Sequence, residues 1–338
     1  MGNVENKEIN MKILVTGAAG FIGYHLCDAL LHAGYVVVGI DNLSSYYDVR
    51  LKRRRLDMLN KNEHFTFVKL DISKYEALER LIAKERPDEI IHLAAQAGVR
   101  YSLIDPWAYA DANYLGTLNV FEAVKRLKLP RVIYASSSSV YGSNTKQPFS
   151  ESDRVDSPIS LYAATKRANE LLARSYHHLF GFEVIGLRFF TVYGPWSRPD
   201  MALFKFARRM LKGDPIDVYN NGNMKRSFTY VDDVTEAIVN LLKQKPSGRH
   251  LLYNIGGDEA VPLMKFIELI EKELGKKAQM HMLPLQSGDV PETVSDCSSA
   301  ERDFGYKANV SIEEGIARFA KWLRENEKFA LSLKEPKQ

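Results

Sequence analysis

Tyr162 and Lys166 stand four positions apart in a stretch with helical spacing, Leu161 to Phe180. Residues four apart share one face of a helix. An ammonium beside a phenol favours the phenolate and lowers a pKa that is ordinarily about 10. That turns a tyrosine into an acid or base usable near neutral pH. Of the 17 tyrosines in the chain, only Tyr162 has a lysine four residues on. Taken alone, the pair could equally be a helix-surface contact. Upstream, Ala135-Ser-Ser-Ser-Ser139 closes an apolar run, and hydroxyls there could bond a ligand hydroxyl beside the phenol. The plainer alternative is a polar exit from a strand. No GxSxG elbow occurs, so an α/β-hydrolase nucleophile is not indicated.

A second group of residues has the chemistry of phosphate binding. Gly17-Ala-Ala-Gly20-Phe21-Ile22-Gly23 lies between a strand-like run and a helix-like run. Glycines there let the backbone turn tightly against a pyrophosphate, while the helix N-terminus offers free N–H groups and partial positive charge. The spacing is GxxGxxG rather than the general GxGxxG. A ligand-free glycine turn would look similar. Asp41 closes the next apolar run, followed by Asn42. A carboxylate there can accept from an adenosine ribose and repels a 2′-phosphate, which favours NAD over NADP. Asp41 could instead serve only the turn through Ser44. The arginines Arg53, Arg54 and Arg55 are expected on the solvated face of a helix. Asp71-Ile72 and Leu93-Ala94-Ala95 fall at the carboxyl ends of two further strands, where adenine and the pyrophosphate–ribose region would lie. His92 reads as a core histidine.

The elements that must carry these groups alternate. Apolar strands are expected at Lys12–Thr16, Tyr35–Ile40, Phe65–Leu70, Glu89–Leu93, Arg131–Ala135 and Glu183–Arg188. Helices are expected after Gly23, over Lys74–Lys84, over Pro106–Leu127 and over Leu161–Phe180. That alternation predicts an α/β fold, a Rossmann-type doubly wound parallel sheet with ligands beyond the carboxyl strand ends. After Gly194 the rhythm changes. Helices over Met201–Lys212, Val231–Leu242, Leu263–Leu274 and Ile312–Asn326 mix with short strands and Gly/Pro loops. We read residues 11–193 as mainly the cofactor domain and 194–330 as mainly a smaller mixed α/β substrate-binding domain, with some exchange of chain between them. Residues 1–10 read as a disordered extension, and Leu331–Gln338 as a frayed tail.

Composition narrows the class. The chain has 338 residues and a formal charge of +4. That is too little positive charge to call for nucleic acid, although it suits a phosphate-bearing small molecule. Only Lys52–Arg55 forms a basic run, with no aromatic nucleic-acid module beside it. Cys27 and Cys297 form no CxxC pair, so neither a disulfide framework nor a cysteine metal site is expected, and a reducing, cytoplasmic setting is. No apolar run reaches membrane-spanning length, and the polar first ten residues are not a secretory signal.

Taken together, Gly17–Gly23, Asp71-Ile72, His92–Ala95, Ser136–Tyr141 and Tyr162–Lys166 resemble the extended short-chain dehydrogenase/reductase superfamily, and within it the nucleotide-sugar epimerases and dehydratases. The resemblance runs from Met11 to about Trp322. It implies Tyr162 as general base, Lys166 as the nicotinamide-ribose ligand that lowers the tyrosine pKa, and Ser137 as the assisting hydroxyl with Ser138 beside it. Arg188-Phe-Phe-Thr-Val-Tyr-Gly-Pro-Trp-Ser-Arg-Pro-Asp-Met-Ala202 is similar to a segment of the UDP-glucuronate 4-epimerases, which places Thr191 and Arg198 near a substrate carboxylate. Arginine suits that partner because its fork can take both oxygens. The chain departs from the family at Ser197, where glycine is typical, and a changed loop is expected there. Further similar segments put Val218 and Tyr219 beside uracil, Arg226 at the diphosphate, Asp289 at the uridine ribose and Arg100 near the phosphates. For each of these, an ordinary loop is the alternative.

The resemblance implies reversible C4 epimerisation of UDP-glucuronate to UDP-galacturonate, for polysaccharide precursor synthesis. The route passes through a 4-keto sugar, with NAD held throughout and no metal. Thr191, Arg198 and Ser138 are candidates for keeping the carboxylate from leaving as CO2. UDP-glucose 4-epimerase and UDP-glucuronate decarboxylase share most of this chemistry. An NAD(H)-sensing regulator on the same fold is the non-enzymatic alternative. The family also implies a homodimer through helices around Ala108–Lys125 and Ala163–His178.

Overall fold

The structure is a computed structural model describing residues 11–286 and 288–335. The expected extension over residues 1–10, Ser287 and the last three residues lie outside the described residues.

The first half alternates strictly: β1 (Lys12–Thr16), α1 (Phe21–His32), β2 (Val36–Asp41), α2 (Val49–Leu59), β3 (Phe65–Lys69), α3 (Tyr75–Glu85) and β4 (Glu89–His92). Next come α4 (Pro106–Tyr109), a π-helical turn over Ala110–Leu115, α5 (Gly116–Arg126), β5 (Arg131–Ser137), α6 (Leu161–Phe180) and β6 (Glu183–Phe189). The single helix expected over Pro106–Leu127 is thus interrupted. The Asn113 side chain explains the need for the wider turn. It is fully buried and joins the Gln96 backbone to Thr165 on α6.

The second half holds β7 (Thr191–Tyr193), α7 (Ala202–Lys212), β8 (Ile216–Val218), β9 (Lys225–Tyr230), α8 (Val231–Lys243) and β10 (His250–Ile255). It continues with β11 (Ala260–Pro262), α9 (Leu263–Leu274), β12 (Met280–Met282), β13 (Glu292–Thr293), α10 (Ser298–Phe304), α11 (Ile312–Glu325) and α12 (Glu327–Ser332). The helices expected here are present within a residue or so at each end.

Seven parallel strands form the main sheet in the order β10-β6-β5-β4-β1-β2-β3. Strand order reverses between β1 and β4, which opens a crevice at their carboxyl ends. β4 and β6 are buried along their whole length, as a strand covered by helices on both faces must be. One core packs α1 and α8 on one face of the sheet, and another packs α3, α5 and α6 on the other. β10 and α8 follow Gly194 in sequence yet complete this half. The remaining small sheet sets β9 between β11 and β13, with β7 also paired to β9. A separate core of α7, α9 and α11 supports it.

The expectation of a frayed tail is corrected over residues 331–335, the part of it that is described. α12 runs to Ser332, Leu333 is buried, and Arg208 donates to the Leu333 carbonyl. Arg50 also donates to the Ser332 carbonyl.

Candidate active site

The glycine-rich turn is dictated by close approach. Gly17 has φ +74°, and a Cβ there would meet the Ala94 backbone at 2.9 Å. A Cβ on Gly23 would lie 2.1 Å from the Gly17 carbonyl oxygen. The turn delivers the N-terminus of α1 into a cleft of about 640 Å³. Gly17, Gly20, Phe21, Ile22, Gly23, Asp41, Asn42, Asp71, Ile72, Leu93, Ala94 and Ala95 all line it, as do Ser137, Ser138, Tyr162, Lys166, Thr191 and Arg198. The residues expected at a cofactor and those expected at a sugar therefore share one space. A glycine cradle, a helix N-terminus and a carboxylate at the next strand end fit a dinucleotide. Among the described residues no cluster has the make-up of a metal site.

Asp41 is nearly buried. One of its oxygens accepts from the Leu43 N–H at 2.7 Å and from Lys52 Nζ at 3.1 Å, which leaves the other for a ligand. Asn42 donates to Asp71 at 3.0 Å, and this contact helps hold the Asp71 carboxyl below its ordinary pKa against the effect of burial. His92 is a core residue, bridging Thr16 and Thr117 at 2.8 and 3.0 Å. Burial, and then the charge of Lys166, push its pKa down to about 3.

At the far end of the cleft, Ser160 caps α6 by accepting from Ala163. That cap starts the helix at Leu161, and Tyr162 and Lys166, one turn apart, both face the cleft. Burial pushes the Tyr162 pKa up, opposed by a hydrogen bond with Ser137 and by the charge of Arg198. Lys166 donates to the Ala135 carbonyl at 2.9 Å, and burial lowers its pKa to about 8. The groups that favour the phenolate here are Ser137 and Arg198, while the ammonium of Lys166 is turned to the end of β5. Beneath them the two oxygens of Glu170 take one edge of the buried Arg188 at 2.8 and 2.9 Å, and Glu170 also accepts from Ser136 at 2.7 Å. This ties α6, β5 and β6 together directly behind Ser137.

Arg198 is half-buried and paired with Asp200 through Nε at 3.1 Å and a terminal nitrogen at 2.7 Å. Asp200 also accepts from the Tyr46 hydroxyl at 3.2 Å. The residue in a left-handed conformation is Trp196, φ 57°, and not Ser197, so a serine there needs no unusual backbone. The Ser197 hydroxyl is buried with no hydrogen-bond partner among the described residues.

A second cavity of about 160 Å³ shares Ser138, Ser139 and Thr191 with the first and is also lined by Arg226, Asp289 and Val99. Arg226 donates to the Pro291 carbonyl at 3.1 Å. Arg100 meets Asp289 at 3.3 Å and lies over the Tyr219 ring at 4.6 Å. Val218 is fully buried in the core on β8 and lines neither cavity, so its side chain is not brought to the others.

Three site residues were not anticipated. Lys52 and Tyr46 line the cleft. Arg55 is wholly buried behind it, which corrects the expectation of a solvated basic run. Arg53 and Arg54 are exposed as expected, Arg54 lying over Phe329 at 5.4 Å. The signal was available in helical spacing. Leu51, Leu56 and Leu59 mark the buried face of α2, and Lys52 and Arg55 flank it three residues apart.

Residues 13–256 match the NAD dependent epimerase/dehydratase family, and the chain belongs to that family. It is 54% identical to an uncharacterized protein of Methanocaldococcus jannaschii, over 95% of this chain and 98% of that one. It is 47% identical to a probable UDP-glucuronate 4-epimerase of Rhizobium meliloti, over 94% of this chain and 98% of that one. Among solved structures it resembles the UDP-glucuronic acid 4-epimerase from Bacillus cereus in complex with UDP-glucuronic acid and NAD. The TM-score is 0.88 at 38% identity, with 93% of this chain and 99% of that one covered.

Proposed function

We propose that the protein is an NAD-dependent UDP-glucuronate 4-epimerase, interconverting UDP-glucuronate and UDP-galacturonate. The observation that carries the reading is a half-buried arginine, Arg198, lining the same cleft as Tyr162, Ser137 and Thr191. A UDP-glucose epimerase has no carboxylate for that cation to meet. The similarity to UDP-glucuronate 4-epimerases over nearly the whole chain supports the same substrate.

Gly17, Gly20 and Gly23 with the α1 N-terminus hold the NAD pyrophosphate, and Asp41 accepts from the adenosine ribose. Asp71 and Ile72 border the adenine. When bound, NAD takes the hydrogen from sugar C4 with its electron pair and returns it to the opposite face. Tyr162 accepts the C4 hydroxyl proton and later gives it back, with Ser137 bonded to the same oxygen. Lys166 binds the nicotinamide ribose. Thr191 and Arg198 hold the carboxylate through the 4-keto stage, while Arg226, Asp289, Tyr219 and Arg100 hold the UDP end. The protein's part is positioning and proton transfer.

The division of labour follows the fold, with residues 11–193 mainly serving the cofactor and 194–330 mainly the UDP-sugar. Exposed Leu103, Ile104, Trp107, Leu171, Leu179 and Phe180 lie on or beside α4 and α6 and support a homodimer through those helices. Both cysteines are free, and among the described residues no helix is long and apolar enough to cross a membrane. A cytoplasmic role in supplying polysaccharide precursors agrees with both.

The test is a product assay. Purified protein is incubated with UDP-glucuronate and the anomeric protons are followed by NMR. UDP-galacturonate without UDP-pentose is expected. A UDP-pentose would make the protein a decarboxylase, and an unchanged spectrum would remove UDP-glucuronate as substrate.

A further inference from the structure

The loop that presents Arg198 is held by two side chains from the cofactor half. His25 on α1 places Nε2 2.9 Å from the Pro195 carbonyl. A carbonyl only accepts, so that nitrogen carries the proton. Burial holds the His25 pKa at about 4, which keeps the ring neutral. Arg55 on α2 donates to the Trp196 carbonyl at 2.5 Å and reaches that of Ser197 at 3.5 Å. Its other terminal nitrogen donates to the Ala19 carbonyl and to the Tyr47 hydroxyl, both at 2.8 Å.

Ala19 lies inside the glycine-rich turn. One guanidinium therefore spans from the turn to the segment immediately before Arg198. Arg55 is wholly buried, and none of these partners is a carboxylate. A buried cation without an anionic partner is unfavourable, so an apolar side chain would serve packing alone better. What guanidinium adds is a rigid planar fork with donors on both edges. The loop needs such a hold because Trp196 adopts a left-handed φ of 57°, which a bulky residue disfavours. Its ring is wedged between Tyr24 and Trp322, with centroids 6.3 and 5.1 Å away.

We propose that Arg55, assisted by His25, is a positioning residue that sets the angle of Arg198 to the sugar carboxylate and ties it to the cofactor turn. The inference rests on the reading of Arg198 as the carboxylate ligand. If the loop slackens, the carboxylate of the 4-keto sugar can turn so that its C5–C6 bond aligns with the keto π system. That bond then breaks and its electron pair forms the C4–C5 enolate. CO2 leaves, and a proton adds at C5 to give a 4-keto pentose.

The experiment compares wild type, Arg55→Met, Arg55→Lys and His25→Gln. Amide hydrogen exchange over residues 195–201 is measured without substrate, and products from UDP-glucuronate are followed by NMR. Arg55→Met is expected to raise exchange in that segment at least tenfold, to raise KM more than it lowers kcat, and to release a UDP-pentose. Arg55→Lys should show a smaller change in each readout, and His25→Gln, which keeps both Arg55 and a donor to the Pro195 carbonyl, the smallest. Unchanged exchange and product ratio in Arg55→Met, or in Arg55→Lys if the methionine variant does not fold, would overturn the proposal. A wild type that makes no UDP-galacturonate removes the epimerase reading instead, and the exchange measurement still judges the strut.

Discussion

Lys52 Nζ lies 3.1 Å from Asp41 Oδ1 at the carboxyl end of β2, the two side chains only 8% and 6% exposed. The carboxylate proposed to receive the cofactor ribose is thus already half engaged, and its charge is partly balanced before any ligand arrives. Removing one partner of a buried pair costs about 3–5 kcal/mol. Lys52→Met is therefore expected to lower unfolding free energy by about 3 kcal/mol and to reduce the NAD retained after purification. Denaturant unfolding and the absorbance of acid extracts measure the two. Full stability with full NAD content would show that the pair has no role at the site.

Tyr162→Phe removes only an oxygen from the cleft. If that oxygen carries the proton, kcat falls by about 10²–10⁴-fold while substrate affinity holds. Initial rates with UDP-glucuronate decide it, and a loss below threefold would assign the proton to another group.

Arg198→Ala should lower kcat/KM on UDP-glucuronate by about 10–100-fold, the worth of a charge-assisted contact. It should also move the pH profile. The Arg198 charge lowers the Tyr162 pKa, so its removal raises that pKa. The limb on which activity rises with pH then shifts to higher pH. A profile of kcat/KM against pH that keeps its position would deny the electrostatic contact. Unchanged turnover would deny the carboxylate role.

Burial lowers the Lys166 pKa from 10.5 to about 8. An unfolded chain then binds more protons than the folded one between those values, so this group's contribution rises with pH across that window. It is fully present above about 10.5 and is lost as pH falls through about 8. The effect is on the order of 3 kcal/mol. Wild type should gain on Lys166→Met between pH 8 and 10 in denaturant unfolding, and parallel curves would reject the shift.

Ser197→Ala removes a buried hydroxyl that lacks a partner. A gain of about 1 kcal/mol in unfolding free energy is expected. A loss of similar size would mean that the hydroxyl is bonded in solution.

The cleft residues Tyr162, the glycine turn and the strand ends were legible because each belongs to a local pattern: a helical i, i+4 pair, a strand–turn–helix junction, or an apolar run with a polar stop. Lys52 and Arg55 were hidden by their neighbours. Four consecutive basic residues read as surface, although the helical spacing of Leu51, Leu56 and Leu59 separates the inward two from the outward two. The pairing of Arg198 with Asp200 and Tyr46 was equally illegible. It depends on a loop after β2 reaching a loop after β7, a contact between residues 154 positions apart. The contact of Lys166 with the Ala135 carbonyl has a similar origin: the shared helix face of Tyr162 and Lys166 was legible, but the approach of α6 to the end of β5 was not.

The return of the chain to the main sheet as β10 has a consequence for biosynthesis. β6 is buried along all seven of its residues, and among the described residues its outer edge is paired only by β10. A nascent chain emerging from the ribosome presents that apolar edge unprotected until about sixty more residues have been made. Through that interval the strand is a template for intermolecular pairing, so productive folding of the cofactor half must wait for the sugar half. A chain ended at Gly194 should accordingly aggregate on release, whereas one ended after α8 and β10 should bury the edge. Light scattering of the two translation products would separate vectorial folding from folding that waits for β10.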